Sequence, residues 1–422
     1  MPRAEMSRTH TDKGSGNGLT PAGIATELLR YCRSHDWAGY DPYDGLNSRV
    51  FQSLRFLHFK YPRLALIQLL KRSPINFRRI LMVPQEQNPK GLALFLTSLI
   101  KLSKLGLLRD DASIRYLSER LLSLSNSENG YLGWGYHFDW QTRKVLVPRG
   151  TPNIICTTFA ANALLDAHKH NPDSRFLETV LGAVRFLLER LYFKVSDSES
   201  CFSYYQPNRT FVHNANLLGA ALVSRVARET ANGSLLAPAL EAARFTVNKQ
   251  HSDGSWDYGE CDHPSQRWID NFHTGFNLCA LRAIGLHAES SEFEPAIRRG
   301  FDFFRRHFFE KDGAPRYYHD RLYPIDIHSA AQSIITLVTL KDLDSGNITL
   351  ANDVLAWTMS NMWNARGYFY FQKHRWWTNR IPYMRWSQAW MLLALAVLIE
   401  GREGGFPCVG MPVHQMRPVV AV

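Results

Sequence analysis

His273 and His328 each open a segment rich in aromatic residues and poor in charge, and each follows an aspartate by two or three positions, Asp270 and Asp326. A neutral imidazole is the side chain best matched to proton transfer near neutral pH. Either histidine is a candidate base for removing the proton beside a uronate carboxylate, the first step of epimerisation or elimination. Tyr204 or Tyr205 would be the partner acid, and Arg385 or Arg149 would hold the carboxylate. A carboxylate pair such as Asp139 with Asp270 would instead suit hydrolysis of a glycosidic bond. Asp139 sits between Phe138 and Trp140, a setting that raises a carboxyl pKa as a general acid needs, whereas an ion pair with Arg143 would lower it. A plainer alternative stands beside each residue: Asp270 and Asp326 as helix N-caps, and His273 and His328 as satisfied core histidines.

The binding candidates cluster in the same places. Trp134, Trp140, Trp376 and Trp377 lie in polar loops, where amphipathic rings suit stacking on a sugar face, lining an isoprenoid pocket, or packing the loops themselves. Tyr136, His213, Asn214, Trp268 and Trp386 complete the set. Arg149, Arg209, Arg267, Arg321, Arg380 and Arg385 flank these loops and favour an anionic ligand.

The elements that must position these residues repeat. Five segments share one plan: a Gly-containing aromatic turn, a short polar piece, a low-charge helix, then an amphipathic helix. Anchored at the start of the low-charge helix, they begin at Cys156, Asn214, His273, His328 and Trp386. The last four side chains are therefore expected to neighbour one another at one end. In the amphipathic helices, apolar residues such as Ile297, Phe301, Phe304 and Phe308 recur three and four apart beside Arg298, Arg299 and Arg305. Buried inner helices alternating with amphipathic outer ones describe an all-α fold, an α/α toroid. Its inner-helix N-termini gather at one mouth and add their partial positive charge there. Further helices are expected over 19–32, 47–59, 62–81, 89–107 and 112–124, giving six or seven hairpins. Residues 1–18 are expected to be disordered, 19–400 to form the toroid, and 401–422 to run extended over the surface.

Of the 422 residues, 45% are hydrophobic and 21% charged, which permits a sizeable core. The net charge of +11 favours acidic partners. Those charges are spread along the chain and interrupted by acids, so nucleic acid is not expected. The six cysteines are widely spaced with no CxxC pair, which reads as reduced thiols in the cytoplasm. No signal peptide or spanning helix is visible, although the basic character leaves room for peripheral membrane contact. Asp257, Cys261, His263 and His273 are ligand types that zinc accepts, at a spacing that fits no zinc pattern. Neither metal nor cofactor is expected.

Two resemblances add to this reading. Gln250, Gly254 and Trp256 have the Gln-x-x-x-Gly-x-Trp core of terpene cyclases in the toroid superfamily, and Trp268–Leu281 resembles a helix start of protein prenyltransferase β subunits. These imply the toroid but not the activity, since neither the cyclase acid run nor an Asp-Asp-x-x-Asp motif occurs. The run Gly133–Gln141, followed by Pro148–Pro152, resembles toroid proteins of bacterial polysaccharide biosynthesis. That resemblance implies a glycan role by association. The expected function is an enzyme on an anionic or lipid-linked glycan, by epimerase, lyase or hydrolase chemistry. Isoprenoid chemistry and a non-catalytic binding subunit are the alternatives. Oligomeric state is not indicated.

Overall fold

The computed structural model describes residues 19–402, apart from 129, 143–144, 207–210 and 261–266. The expectations for the terminal segments 1–18 and 403–422, and for Arg143, Arg209, Cys261, His263 and Cys408, lie outside the described residues.

The low-charge segments form the inner helices: α4 (Pro89–Lys104), α6 (Ile154–His170), α8 (His213–Glu229), α10 (Asn271–His287), α12 (Ile327–Thr339) and α14 (Trp390–Arg402). Each packs against the next, and α14 returns to α4, so the six close a ring. Such helices touch neighbours on every side, which is why they can carry so little charge. In α12, all residues from Ile327 to Val338 are buried.

The amphipathic segments lie outside them: α5 (Asp111–Ser123), α7 (Ser174–Phe186), α9 (Leu236–Asn248), α11 (Glu294–His307) and α13 (Asn347–Met362). The helix α11 buries Ile297, Phe301 and Phe304 and leaves its arginines on the outer face. The outer partner of α14 is the first described helix, α1 (Pro21–Ser34), which buries Ile24, Leu28, Leu29 and Cys32. The count is thus six hairpins, the sixth made from the two ends of the described chain.

The remaining helices, α2 (Arg49–Ser53) and α3 (Lys60–Arg72), are shorter than the expected spans 47–59 and 62–81. Strands are confined to ribbons of two or three residues in the loops. The four described cysteines, Cys32, Cys156, Cys201 and Cys279, are buried free thiols. Among the described residues, no helix is long and apolar enough to cross a membrane.

The Gln250–Trp256 motif tightens a junction between hairpins. The Gln250 amide donates to the carbonyls of Gly254 and of Ala296 in α11, both at 2.9 Å. The Trp256 indole donates to Thr246 O at 3.0 Å. Gly254 has φ +94°, and a Cβ there would stand 2.2 Å from Arg299 O, so only glycine fits.

Candidate functional site

The inner-helix N-termini surround one cleft of about 380 Å³. The N-caps are Asn88, Asn153, Val212, Asp270 and Asp326 for α4 to α12, and Tyr383 for the π-turn that leads into α14. Two residues beyond each cap stand Lys90, Ile155, Asn214, Phe272, His328 and Arg385, and all six line the cleft. A closed ring of parallel helices presents one side chain per helix at each level of its bore, and this is the top level. Cys156, His273 and Trp386 therefore lie one position further along than Asn214 and His328. The shared column expected from the repeats is corrected by one residue at those places.

His273 still reaches the cleft. Asp270 accepts from the His273 amide at 2.9 Å and from the Trp268 indole at 2.9 Å, and its Oδ2 lies 2.7 Å from His273 Nδ1. An ionised carboxylate can only accept, so this contact suits the tautomer with the proton on Nδ1, which in a neutral imidazole puts the lone pair on Nε2. The aspartate both caps the helix and orients the imidazole. Asp326 does parallel work: it accepts from the His328 amide at 2.8 Å, the Trp386 indole at 2.9 Å and the Gln372 amide at 2.6 Å. Burial raises its carboxyl to about 6 against those three donors.

Two of the six residues at the top level, His328 and Lys90, are buried polar side chains with no hydrogen bond seen among the described residues. His328 stacks on Phe272 at 4.4 Å and on Trp390 at 4.5 Å, and neither ring nitrogen has a partner among the described residues. Burial, reinforced by Lys90 and Arg385, holds its pKa well below the ordinary value, so the ring is neutral. Lys90 is only 5% exposed. Its ammonium lies over the faces of Phe159, Trp390 and Phe276, at 4.6, 5.0 and 5.6 Å. Burial, followed by the charge of Arg385, brings its pKa down to about 7. No hydrogen bond to its amine is seen among the described residues, whereas Lys71 donates to Tyr43 Oη at 2.7 Å.

No protein-family model matches the chain, and no curated protein matches it by sequence. Solved structures do. Unsaturated glucuronyl hydrolase specific for heparin is 14% identical over 92% of this chain and 97% of its own, with a TM-score of 0.60. Cellobiose 2-epimerase from Bacillus thermoamylovorans B4167 is 10% identical over 76% of this chain and 90% of its own, at 0.58. The GH76 α-mannanase BT2949 of Bacteroides thetaiotaomicron is 14% identical over 75% and 88%, at 0.55. The fold is the α/α toroid.

Nine of the residues singled out in the sequence line the toroid's cleft: Tyr136, Trp140, Tyr204, Asn214, Trp268, His273, His328, Arg385 and Trp386. Asp270 and Asp326 stand directly behind them. Arg385 is not free to hold a ligand carboxylate in the expected way, because Asp41 takes its Nε at 2.6 Å and its Nη2 at 2.8 Å. Other residues are elsewhere. Trp134 is fully buried, with its indole on Leu121 O at 2.8 Å. His213 is buried with Nδ1 3.2 Å from Thr246 Oγ1 of α9. Asp139 accepts from the Arg149 amide at 2.7 Å, and the Arg149 side chain pairs with Glu86 at 2.8 Å; both lie off the cleft lining. Tyr205 is buried behind Trp140, and Tyr204 takes the cleft position, its hydroxyl 2.8 Å from that of Tyr136. Trp376, 83% exposed, and Trp377, stacked on His374, are likewise outside it.

The residues that motif reading misses are Lys90, Lys71, Tyr43, Tyr258, Tyr317 and Tyr318. For Lys90 a signal exists. Asn88-Pro89 is a cap followed by proline at the first helical position, which marks Lys90 as the second residue of an inner helix.

Proposed function

We propose that the toroid is a glycan-processing enzyme that moves a proton at the carbon beside the carboxylate of an acidic sugar, as an epimerase or lyase does. The observation that carries this reading is the lining. It presents two imidazoles, six phenols and three cations, with no carboxylate among its described residues. The aspartates Asp41, Asp270 and Asp326 stand one layer back and orient Arg385, His273 and Trp386. Such a cleft attracts an anion and offers a neutral base, whereas a glycosidase pair needs two carboxylates facing the bond. An isoprenoid would meet charges where it needs an apolar wall, and a pure scaffold would not need these groups to converge.

In this reading the Nε2 lone pair of His273 takes the proton. The Tyr136–Tyr204 pair supplies the acid, since burial pushes both phenols up and keeps them protonated. Lys90 and the neutral His328 receive the sugar carboxylate, the ammonium by charge and the imidazole through its single N–H. The remaining His328 nitrogen accepts from a neighbouring hydroxyl. Similar toroids named for cellobiose and for glucuronyl substrates support a carbohydrate ligand. The substrate class is an anionic glycan, free or carried on a lipid, and the buried thiols suit a cytoplasmic setting.

Turnover of a glucuronate-ended oligosaccharide by point variants tests the assignment. His273→Asn should lower kcat by about 10²–10⁴, the usual range for a general base. Asp139→Asn should change it by no more than a few fold. The opposite pattern would transfer the chemistry to Asp139 and favour hydrolysis.

A further inference from the structure

Residues 45–85 contain eight lysines and arginines and no aspartate or glutamate. This stretch holds α2 and α3 and also an unusual set of exposed apolar side chains. Phe56 and Ile80 are each 74% exposed, Tyr61 71%, Leu69 and Ile75 60% each, and Phe59 53%. In α3 the outward stripe is itself apolar, with Tyr61, Ala65 and Leu69 four residues apart, while Ile67 and Leu70 are buried on the other side. A surface helix normally turns a polar face to water. A helix apolar on both faces, among exposed phenylalanines, marks a surface that something covers.

Charge selects the cover. Arg49, Arg55, Lys60, Arg72 and Arg79 are exposed within the same stretch. A two-fold dimer through this face would set those cations against themselves, with no acid from the stretch to pair them. Large apolar side chains interleaved with lysine and arginine match an anionic bilayer, where the rings enter the interface and the cations meet headgroups. The same stretch borders the cleft: Lys71, at the end of α3, lines it beside Tyr43.

We propose that the α2–α3 face is a docking surface for an anionic lipid bilayer, and that it sets the cleft against the membrane to receive a glycan carried on a lipid. The lipid-borne substrate rests on the function proposed above; the membrane contact does not.

Co-sedimentation of the full chain with vesicles tests it, comparing pure phosphatidylcholine with phosphatidylcholine containing one-third phosphatidylglycerol. The wild type should bind the anionic vesicles at least ten-fold more tightly, and less so as salt rises. The combined variant Phe56→Ser, Tyr61→Ser, Ile80→Ser should lose ten-fold or more. These side chains are exposed, so its circular-dichroism spectrum and melting temperature should stay unchanged. A second variant, Lys60→Glu with Arg79→Glu, should reduce binding to anionic vesicles specifically. No binding by the wild type, equal binding to both vesicles, or no effect of either variant would overturn the proposal. So would a concentration-dependent dimer in light scattering that the serine variant abolishes, which would give the face to a second copy. Binding of a soluble acidic oligosaccharide, read in the same preparations, keeps the two readings apart. Its loss strikes the proposed function, and loss of vesicle binding alone strikes only the docking surface.

Discussion

Lys90 carries a cost that the fold alone does not explain. An ammonium in the cleft lining, with aromatic faces around it and no acceptor seen among the described residues, is held in a setting that disfavours its charge. The three rings recover part of the lost hydration. Its pKa falls from 10.5 to about 7, so between those values the unfolded chain holds a proton that the folded chain has released. Stability therefore rises with pH through that window, and the burial cost is fully felt below it. Lys90→Met, which keeps the stem and removes the charge, should raise stability at pH 6 by about 1–3 kcal/mol, the range seen when a buried charge is replaced by an apolar side chain of similar volume. The gain over the wild type should shrink towards pH 10. Urea titrations at the two pH values measure this; a variant less stable than the wild type at pH 6 would show that Lys90 is structural. A gain in stability with loss of acidic-ligand binding is the pattern expected of a residue kept for function.

Among elements, the helix starts decide what the sequence shows and what it hides. The repeat, the buried inner helices and the glycine turns are legible because periodicity and turn chemistry are local. The register at each helix start is less so. Asp270 and Asp326 are N-caps, but His273 is three residues past its cap and His328 only two, and a column anchored on histidine conceals that step. Lys90 follows a good cap and a proline, but it lacks the aromatic turn that flags the other starts, and so escapes notice. Trp376 and Trp377 mislead in the opposite direction, because a tryptophan in a polar loop looks the same in sequence whether it faces a cleft or water. The turns themselves are open to test. Gly254→Ala places a methyl against Arg299 O at a left-handed φ and should cost at least about 2 kcal/mol. Gly233→Ala, with nothing within 4 Å, should stay within about 0.5 kcal/mol. Equal melting temperatures for the two variants would contradict the role given to the Gln250–Trp256 junction.

For the whole molecule, the ring closes only because α1 packs on α14 and α14 meets α4. These contacts join the two ends of the described chain, far apart in sequence, so no local pattern reveals them and the sequence leaves the number of hairpins open. Closure has a chemical consequence. It brings six helix N-termini and the charges of Lys71, Lys90 and Arg385 to one mouth, and sets the carboxylates behind them. In the function proposed above, an anionic sugar is drawn in and the group that takes its C–H proton is the imidazole of His273. Hydrogen exchange at that carbon tests this claim most directly. The full chain is incubated in deuterium oxide with an oligosaccharide ending in glucuronate, and proton NMR follows the signal of the C–H beside the carboxylate. This signal should disappear with the wild type and persist with His273→Asn. A glycosidic bond cleaved with that C–H intact, or no change of any kind with the wild type, would contradict the claim.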